Sequence, residues 1–219
     1  MNINEKKPED VLKWQFLVQY KELHQDIWLR LIRINTNLQI VEVIQQFPLD
    51  HLYSPQENVF WGSVRWNFLD LSIILLHALI CDEGDDALSL PKFKNNVSTW
   101  LKDPAEYRKL LKTLHFNRIT KNLCAKFTPI RRDILAHRLL DEDGKLRDPP
   151  GVTLSEIHTL YNETEKLFRS CSFGAEYVTT FYMQGTCGGK PIEKDIEHIL
   201  DLLIKNSPWL NRPEQESQS

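Results

Sequence analysis

The sequence predicts an all-α protein, an up-and-down bundle of long helices with short helical additions. Three observations predict it. Apolar residues recur at intervals of three and four along most of the chain, the period of a helix face. No segment shows sustained strand alternation. Only 8 glycines occur in 219 residues, too few for a turn-rich sandwich or barrel.

The elements follow in order. From Glu9 to Phe47 the apolar set Val11, Trp14, Leu17 or Val18, Leu23, Ile27, Leu31, Ile34, Leu38 and Val41 marks a helical stretch, and Phe47-Pro48 stops it. A connector around Asp50 to Pro55 leads to a second helix from about Gln56 to Cys81. That helix is apolar nearly all round: Phe60, Trp61, Val64, Phe68, Leu71 and Leu75, but also Trp66, Leu69, Ile73, Ile74 and Leu76. Such a helix is expected at the buried centre of a bundle. The acidic loop 82–86 ends it. Ser89-Leu90-Pro91 starts a short helix through Trp100-Leu101, and Pro104 opens a long basic helix to about Phe127.

Thr128-Pro129 reads as an N-cap followed by a proline at the first helical position. A break or kink is expected there, with a new short helix carrying Arg132, Asp133 and His137 and ending near Leu140. After a polar loop, Thr153-Leu154-Ser155-Glu156 is a capping box that starts a helix reaching about Met183. Gly185 to Pro191 breaks it, and Ile192 to Lys205 forms a last amphipathic helix. Residues 1–211 are read as a single helical domain and 212–219 as a disordered tail.

Bulk composition sets the class. A chain of 219 residues with 42% hydrophobic and 26% charged residues reads as soluble and globular, with enough length to bury a core. The apolar run Leu69 to Cys81 contains Asp70 and His77 and is too short to span a bilayer, so no membrane partner is expected. Cys81, Cys124, Cys171 and Cys187 show no Cys-x-x-Cys pairing, and no signal peptide precedes them. They are expected to be reduced thiols of a cytoplasmic protein.

Net charge is only −3, but its distribution is uneven. Between Pro104 and Arg138 nine basic residues face two acids, Glu106 and Asp133, so this segment is strongly cationic and the rest of the chain correspondingly acidic. A basic stripe on an acidic body attracts a polyanion locally. Its blander counterpart is a solvated helix face.

Several chemistries fail on spacing. Gly185-Thr186-Cys187-Gly188-Gly189-Lys190-Pro191 is no P-loop, because Pro191 stands where the magnesium-binding hydroxyl is needed. Glu156 and His158 lack the spacing of a di-metal bundle, and Asp195-Ile196-Glu197-His198 is a single look-alike. No cysteine–histidine cluster has zinc spacing, and there is no Gly-x-Ser-x-Gly elbow. No metal and no cofactor is expected. His77 reads as a satisfied core histidine.

What remains is Ile130-Arg131-Arg132-Asp133-Ile134-Leu135-Ala136-His137-Arg138. On a helix Asp133 and His137 project within about 40° of each other, so the carboxylate can hold the imidazole in one tautomer. An adjacent guanidinium can grip a phosphate through two bonds. The bland reading is helix-end capping, since cations favour a C-terminus and acids an N-terminus. Yet Arg131, Arg132 and the Asp133–His137 pair point three ways round the wheel. That pattern suits a helix pinned in a crevice or at a subunit contact better than a surface helix.

At these residues the sequence resembles a HEPN domain, whose signature is an arginine, four to six residues, then a histidine, commonly with Asn, Asp or His directly after the arginine. Arg132-Asp133-Ile134-Leu135-Ala136-His137 fits the four-residue form. The aromatic-rich helix ending in Leu79-Ile80-Cys81-Asp82, the loop to Ser89-Leu90 and the later Arg-Asp-x-x-x-Ala-His-Arg block resemble the AbiU branch, linked to abortive phage infection. The resemblance covers roughly Asn58 to Met183. It implies a helical bundle that forms a homodimer around a cleft, and a metal-independent endoribonuclease leaving 2′,3′-cyclic phosphate ends. In that reading His137 is the general acid or base, Arg132 stabilises the phosphorane and Asp133 orients His137. Arg131, Arg138, Lys126 and Lys121 bind the RNA.

A protein antitoxin or regulator is a further partner the family admits. The His-x-Tyr motif that some antitoxins modify is missing here, because Arg138-Leu139 follow His137. Many HEPN domains are inert, so the alternative is a non-catalytic module binding RNA, a nucleotide or a protein. A third reading makes the motif polar glue in a structural dimer.

Overall fold

The computed structural model describes residues 3–46, 55–84, 86–132, 153–174, 198 and 201–202, with side chains from 61 onward in the second long helix. The chain is all-α. Among the described residues the sole β feature is an isolated bridge between Leu12 and Leu101. Seven α-helices are described: α1 (Pro8–Val11), α2 (Leu17–Gln46), α3 (Pro55–Cys81), α4 (Leu90–Trp100), α5 (Pro104–Thr113), α6 (Phe116–Ile130) and α7 (Leu154–Cys171). The most extensive pairing is α2 with α3, followed by α3 with α6.

Some boundaries follow local chemistry. The Ser89 hydroxyl accepts from Lys92 N–H at the head of α4, and the Asp103 carboxylate accepts from Ala105 N–H at the head of α5. Thr153 and Glu156 close the reciprocal capping box that opens α7.

Other boundaries are tertiary. The expected helical stretch from Glu9 is split, because Lys13 N–H donates to Trp100 O and Lys102 N–H to Val11 O, holding residues 11–13 extended beside the end of α4. Trp14 and Val18, assigned to the core face, are 85% and 63% exposed. Tyr20 and His24 are buried instead. The long basic helix is broken at His115, which takes a left-handed φ of 50° without glycine. The break expected at Thr128-Pro129 is absent: α6 runs through Pro129 to Ile130 and passes into a π turn at 131–132. Thr128 does not cap a new helix; its hydroxyl donates to Cys124 O.

α7 ends at Cys171 rather than near Met183. Gly174 takes a φ of 76°, and its N–H leaves the helix for Asn4 O at 3.2 Å. The expected helix from Ile192 to Lys205 and the expected 212–219 tail fall almost wholly outside the described residues. Within that segment, residues 198, 201 and 202 are helical.

The core is one cluster joining every helix. An aromatic node lies within it: His24 packs 4.8 Å from Phe168 and 5.6 Å from Tyr20 between ring centroids. The Tyr20 hydroxyl accepts from Phe173 N–H at 2.8 Å, and the Tyr107 hydroxyl donates to Cys171 O at 3.1 Å. These bonds fix the end of α7 against α2 and α5. α3 is not enclosed. Ser72, Ile73, Leu76, Leu79 and Ile80 are buried, yet Trp66 and Ile74 remain 52% and 42% exposed. Residues Trp61–Cys81 are long and apolar enough to cross a bilayer by length and composition, which the shorter Leu69–Cys81 run concealed.

Cys81 and Cys124 are joined in a disulfide with their Cα atoms 5.3 Å apart, which corrects the expectation of reduced thiols. Sequence spacing could not show it, because the packing of α3 on α6 brings the two together. Cys171 is a buried thiol, and burial pushes its pKa up. Cys187 lies outside the described residues.

Two outcomes follow. The disulfide closes a loop across 43 residues, so Cys81→Ala with Cys124→Ala should cost about 4 kcal/mol by loop entropy. Calorimetry should read this as a drop on the order of 10 °C in Tm; an unchanged Tm would refute it. Burial lowers the His24 pKa to about 4 from an ordinary 6.5. The unfolded chain therefore binds the extra proton between those values, so this stabilisation is complete above pH 6.5 and lost as pH falls towards 4. Urea titrations should show a loss on the order of 3 kcal/mol over that window. The slope should flatten in His24→Leu.

Candidate functional site

The expected site residues lie on α6 and its continuation. α6 is seated by Phe116, Thr120, Leu123, Phe127 and Ile130, buried at alternating steps of four and three. This stripe fixes the direction of every other α6 side chain. At about 100° per residue, Arg118, Lys121, Thr128 and Arg132 fall on the outward ridge, opposite the stripe. Arg118, Lys121 and Arg132 are all exposed, so the ridge is cationic.

Lys126 belongs to a different flank. It is five residues from Lys121, about 140° round the helix. It lines a cavity of about 620 Å³ between α6 and α7, together with Leu114, Ile119, Leu123, Lys166 and Leu167. The structure therefore does not bring Lys121 and Lys126 together as one RNA contact.

Arg131 points to the third side. It shares the α3-facing flank with Cys124, whose sulfur is bonded to Cys81 one helical turn beyond His77. His77 is half-buried rather than a full core residue, and its pKa is held below the ordinary value. Burial is the main cause and the Arg131 charge the second, while Asp82 opposes both. Burial and the Arg131 charge thus both disfavour the charged imidazole. Sequence reading missed this pairing, because nothing local relates positions 77 and 131.

Arg131 and Arg132 are thus exposed where α6 passes into its π turn. The macrodipole of α6 favours cations at this end. Asp133, His137 and Arg138 lie outside the described residues. Among the described residues no group of three or more His, Cys, Asp or Glu side chains forms a metal-binding cluster. What the described part offers is a cationic helix end with two guanidinium groups and the His77 imidazole near Arg131.

No protein-family model, no curated protein and no solved structure matches the chain.

Replacing Arg131 tests the electrostatics directly. In Arg131→Gln the His77 pKa should rise part of the way towards its ordinary value, since burial, the larger cause, persists. NMR titration of the imidazole reads this. An unaltered titration curve would show that the two groups do not interact.

Proposed function

We propose that the chain is a HEPN-type, metal-independent endoribonuclease acting at a homodimer cleft, with a role as a phage-defence or toxin effector. The observation that carries this reading is the end of α6, where an exposed cationic ridge leads into Arg131 and Arg132 and directly on to Asp133 and His137. In that order the residues match what the chemistry needs. The substrate 2′-hydroxyl attacks the adjacent phosphorus while His137 accepts its proton. The phosphorus–5′-oxygen bond breaks, and the leaving oxygen takes a proton back from the protonated His137 as it departs. Arg132 stabilises the charge that grows on the phosphorane oxygens, and Asp133 orients His137. Because the nucleophile is internal to RNA, DNA is not cut.

The dimer has its own support. Trp66 and Ile74 on the outer face of α3 are apolar and uncovered in the monomer, and two such faces packed together would bury them. Arg131 lies beside α3, so a contact there would bring two motif ends near one another.

A non-catalytic RNA-binding module is favoured by one specific observation: the cations of the ridge do not depend on His137 for their placement. One experiment separates the two readings. Wild-type protein should cut total RNA in the presence of EDTA and leave 2′,3′-cyclic ends, and His137→Ala should lose at least about 100-fold in rate with its fold intact. Equal rates would remove the catalytic assignment, and salt-sensitive binding without cleavage would favour the binding module.

A further inference from the structure

The first half of α6, which carries the ridge cations Arg118 and Lys121, forms a recess with α4 and α5. Two cavities of about 610 Å³ and 550 Å³ lie there side by side. Both are lined by Lys94, Asn95, Phe116 and Asn117, so they are two bays of a single trough. Lys92 and Lys121 border the first bay, and Arg108, Lys112 and Arg118 border the second. Against these six cations the trough is lined by one carboxylate, Glu83.

A solvated helix face does not account for this. The cations come from three separate helices, two from each, and border one concavity, with Arg108, Lys112, Arg118 and Lys121 exposed. Mixed signs are the ordinary condition of a protein surface. Here none of the ion pairs among the described residues involves Lys94, Arg108, Lys112, Arg118 or Lys121. Lys94 is held at the junction of the bays: its ammonium donates to Asn117 Oδ1 at 3.2 Å and stands 5.5 Å over the Phe116 ring. Such a cluster repels itself until an anion of extended charge enters.

We propose that this trough binds the phosphate backbone of single-stranded nucleic acid. A single strand fits a concave recess, whereas a duplex is read by an element that protrudes into its groove. The Asn95 and Asn117 amides add donors and acceptors along the same path. Phe116 is only 2% exposed and lies under the Lys94 ammonium, so its ring is not open for stacking. Recognition therefore rests on backbone charge, tolerates sequence, and ignores the 2′-hydroxyl. The trough holds single-stranded RNA and single-stranded DNA alike, whether or not the chain cuts either.

Fluorescence polarisation with oligonucleotides of about 12 nucleotides tests this, using His137→Ala protein so that cleavage plays no part. Removing two phosphate contacts from a single strand lowers the slope of log K against log salt by about 1.4. Arg118→Glu with Lys121→Glu should do so, and Arg118→Gln with Lys121→Gln provides the same readout if charge reversal impairs folding. Lys166→Glu, on α7 and outside the trough, should leave the slope unchanged. Matching affinity for single-stranded RNA and DNA, with weaker binding of duplex, supports the trough. An unchanged slope in both double variants, an equal loss in Lys166→Glu, or competition by poly-glutamate as effective as by RNA would overturn it. Because binding and cleavage are read separately, failure of the trough and failure of the ribonuclease reading are distinct results.

Discussion

The seating of α6 is the constraint on which the rest depends. Its buried stripe contains four large apolar side chains, and each contributes about 1.5–3 kcal/mol when withdrawn from water. Turning the helix by one residue would bring Asn117, Lys121 and their neighbours into that place, and an unpaired buried cation is far more costly than the apolar contact it replaces. Thr120 is tolerated within the stripe because its hydroxyl donates to the Phe116 carbonyl, so no polar group is stranded. The register is thus set by burial. The Cys81–Cys124 bond holds the same register covalently from the α3 side.

Once that register is fixed, the cations have nowhere to go but outward or into flanking recesses. Two of the destinations differ in kind. Lys126 borders a mainly apolar hollow against α7, lined also by Glu163 and Lys166. Lys121 and Arg118 border the recess shared with α4 and α5, where four further Lys or Arg side chains and two neutral amides also line the wall. A helix-capping explanation covers Arg131 and Arg132, which sit at the favourable end of the macrodipole. It does not extend to Arg118, in the first turn of α6, where that dipole disfavours a cation. The macrodipole therefore offsets the charge of Arg131 and Arg132 but not that of Arg118.

How much of this was legible in the sequence depended on the range of the forces involved. Ser89, Thr153 and the bounds of α3 were readable because caps and apolar runs are local. The corner at His115 was not, since Leu114-His115 carries neither glycine nor proline and the turn is imposed by how α5 and α6 each bury a face. The Thr128-Pro129 pair misled for a converse reason: a proline signals a start only where the preceding turn is unoccupied, and here α6 was already seated. Gly174 was a readable stop for α7 that the apolar pattern beyond it obscured. Within the site, the separation of Lys121 from Lys126 follows from their spacing of five, about 140°, and needed only the wheel. The nearness of Arg131 to His77, and the convergence of Lys94 with Arg118, are tertiary facts without a local signature.

The continuity of α6 through Pro129 has a mechanical consequence. Proline lacks the N–H that would bond back along the helix, and its ring crowds the carbonyl four residues earlier, so this position usually kinks. Here the helix is carried across it: Arg131 N–H reaches the Phe127 and Thr128 carbonyls, and the Thr128 hydroxyl occupies the Cys124 carbonyl. Arg118 and Arg132 are consequently on one rod, separated along its axis by about 21 Å. A joint at residues 128–129 would have let the motif arginines swing independently of the trough. A continuous helix instead carries both cationic regions on one element, so the proposed polyanion would meet the second of them in one orientation. The helix expected to break or kink is what makes the two cationic regions parts of one surface.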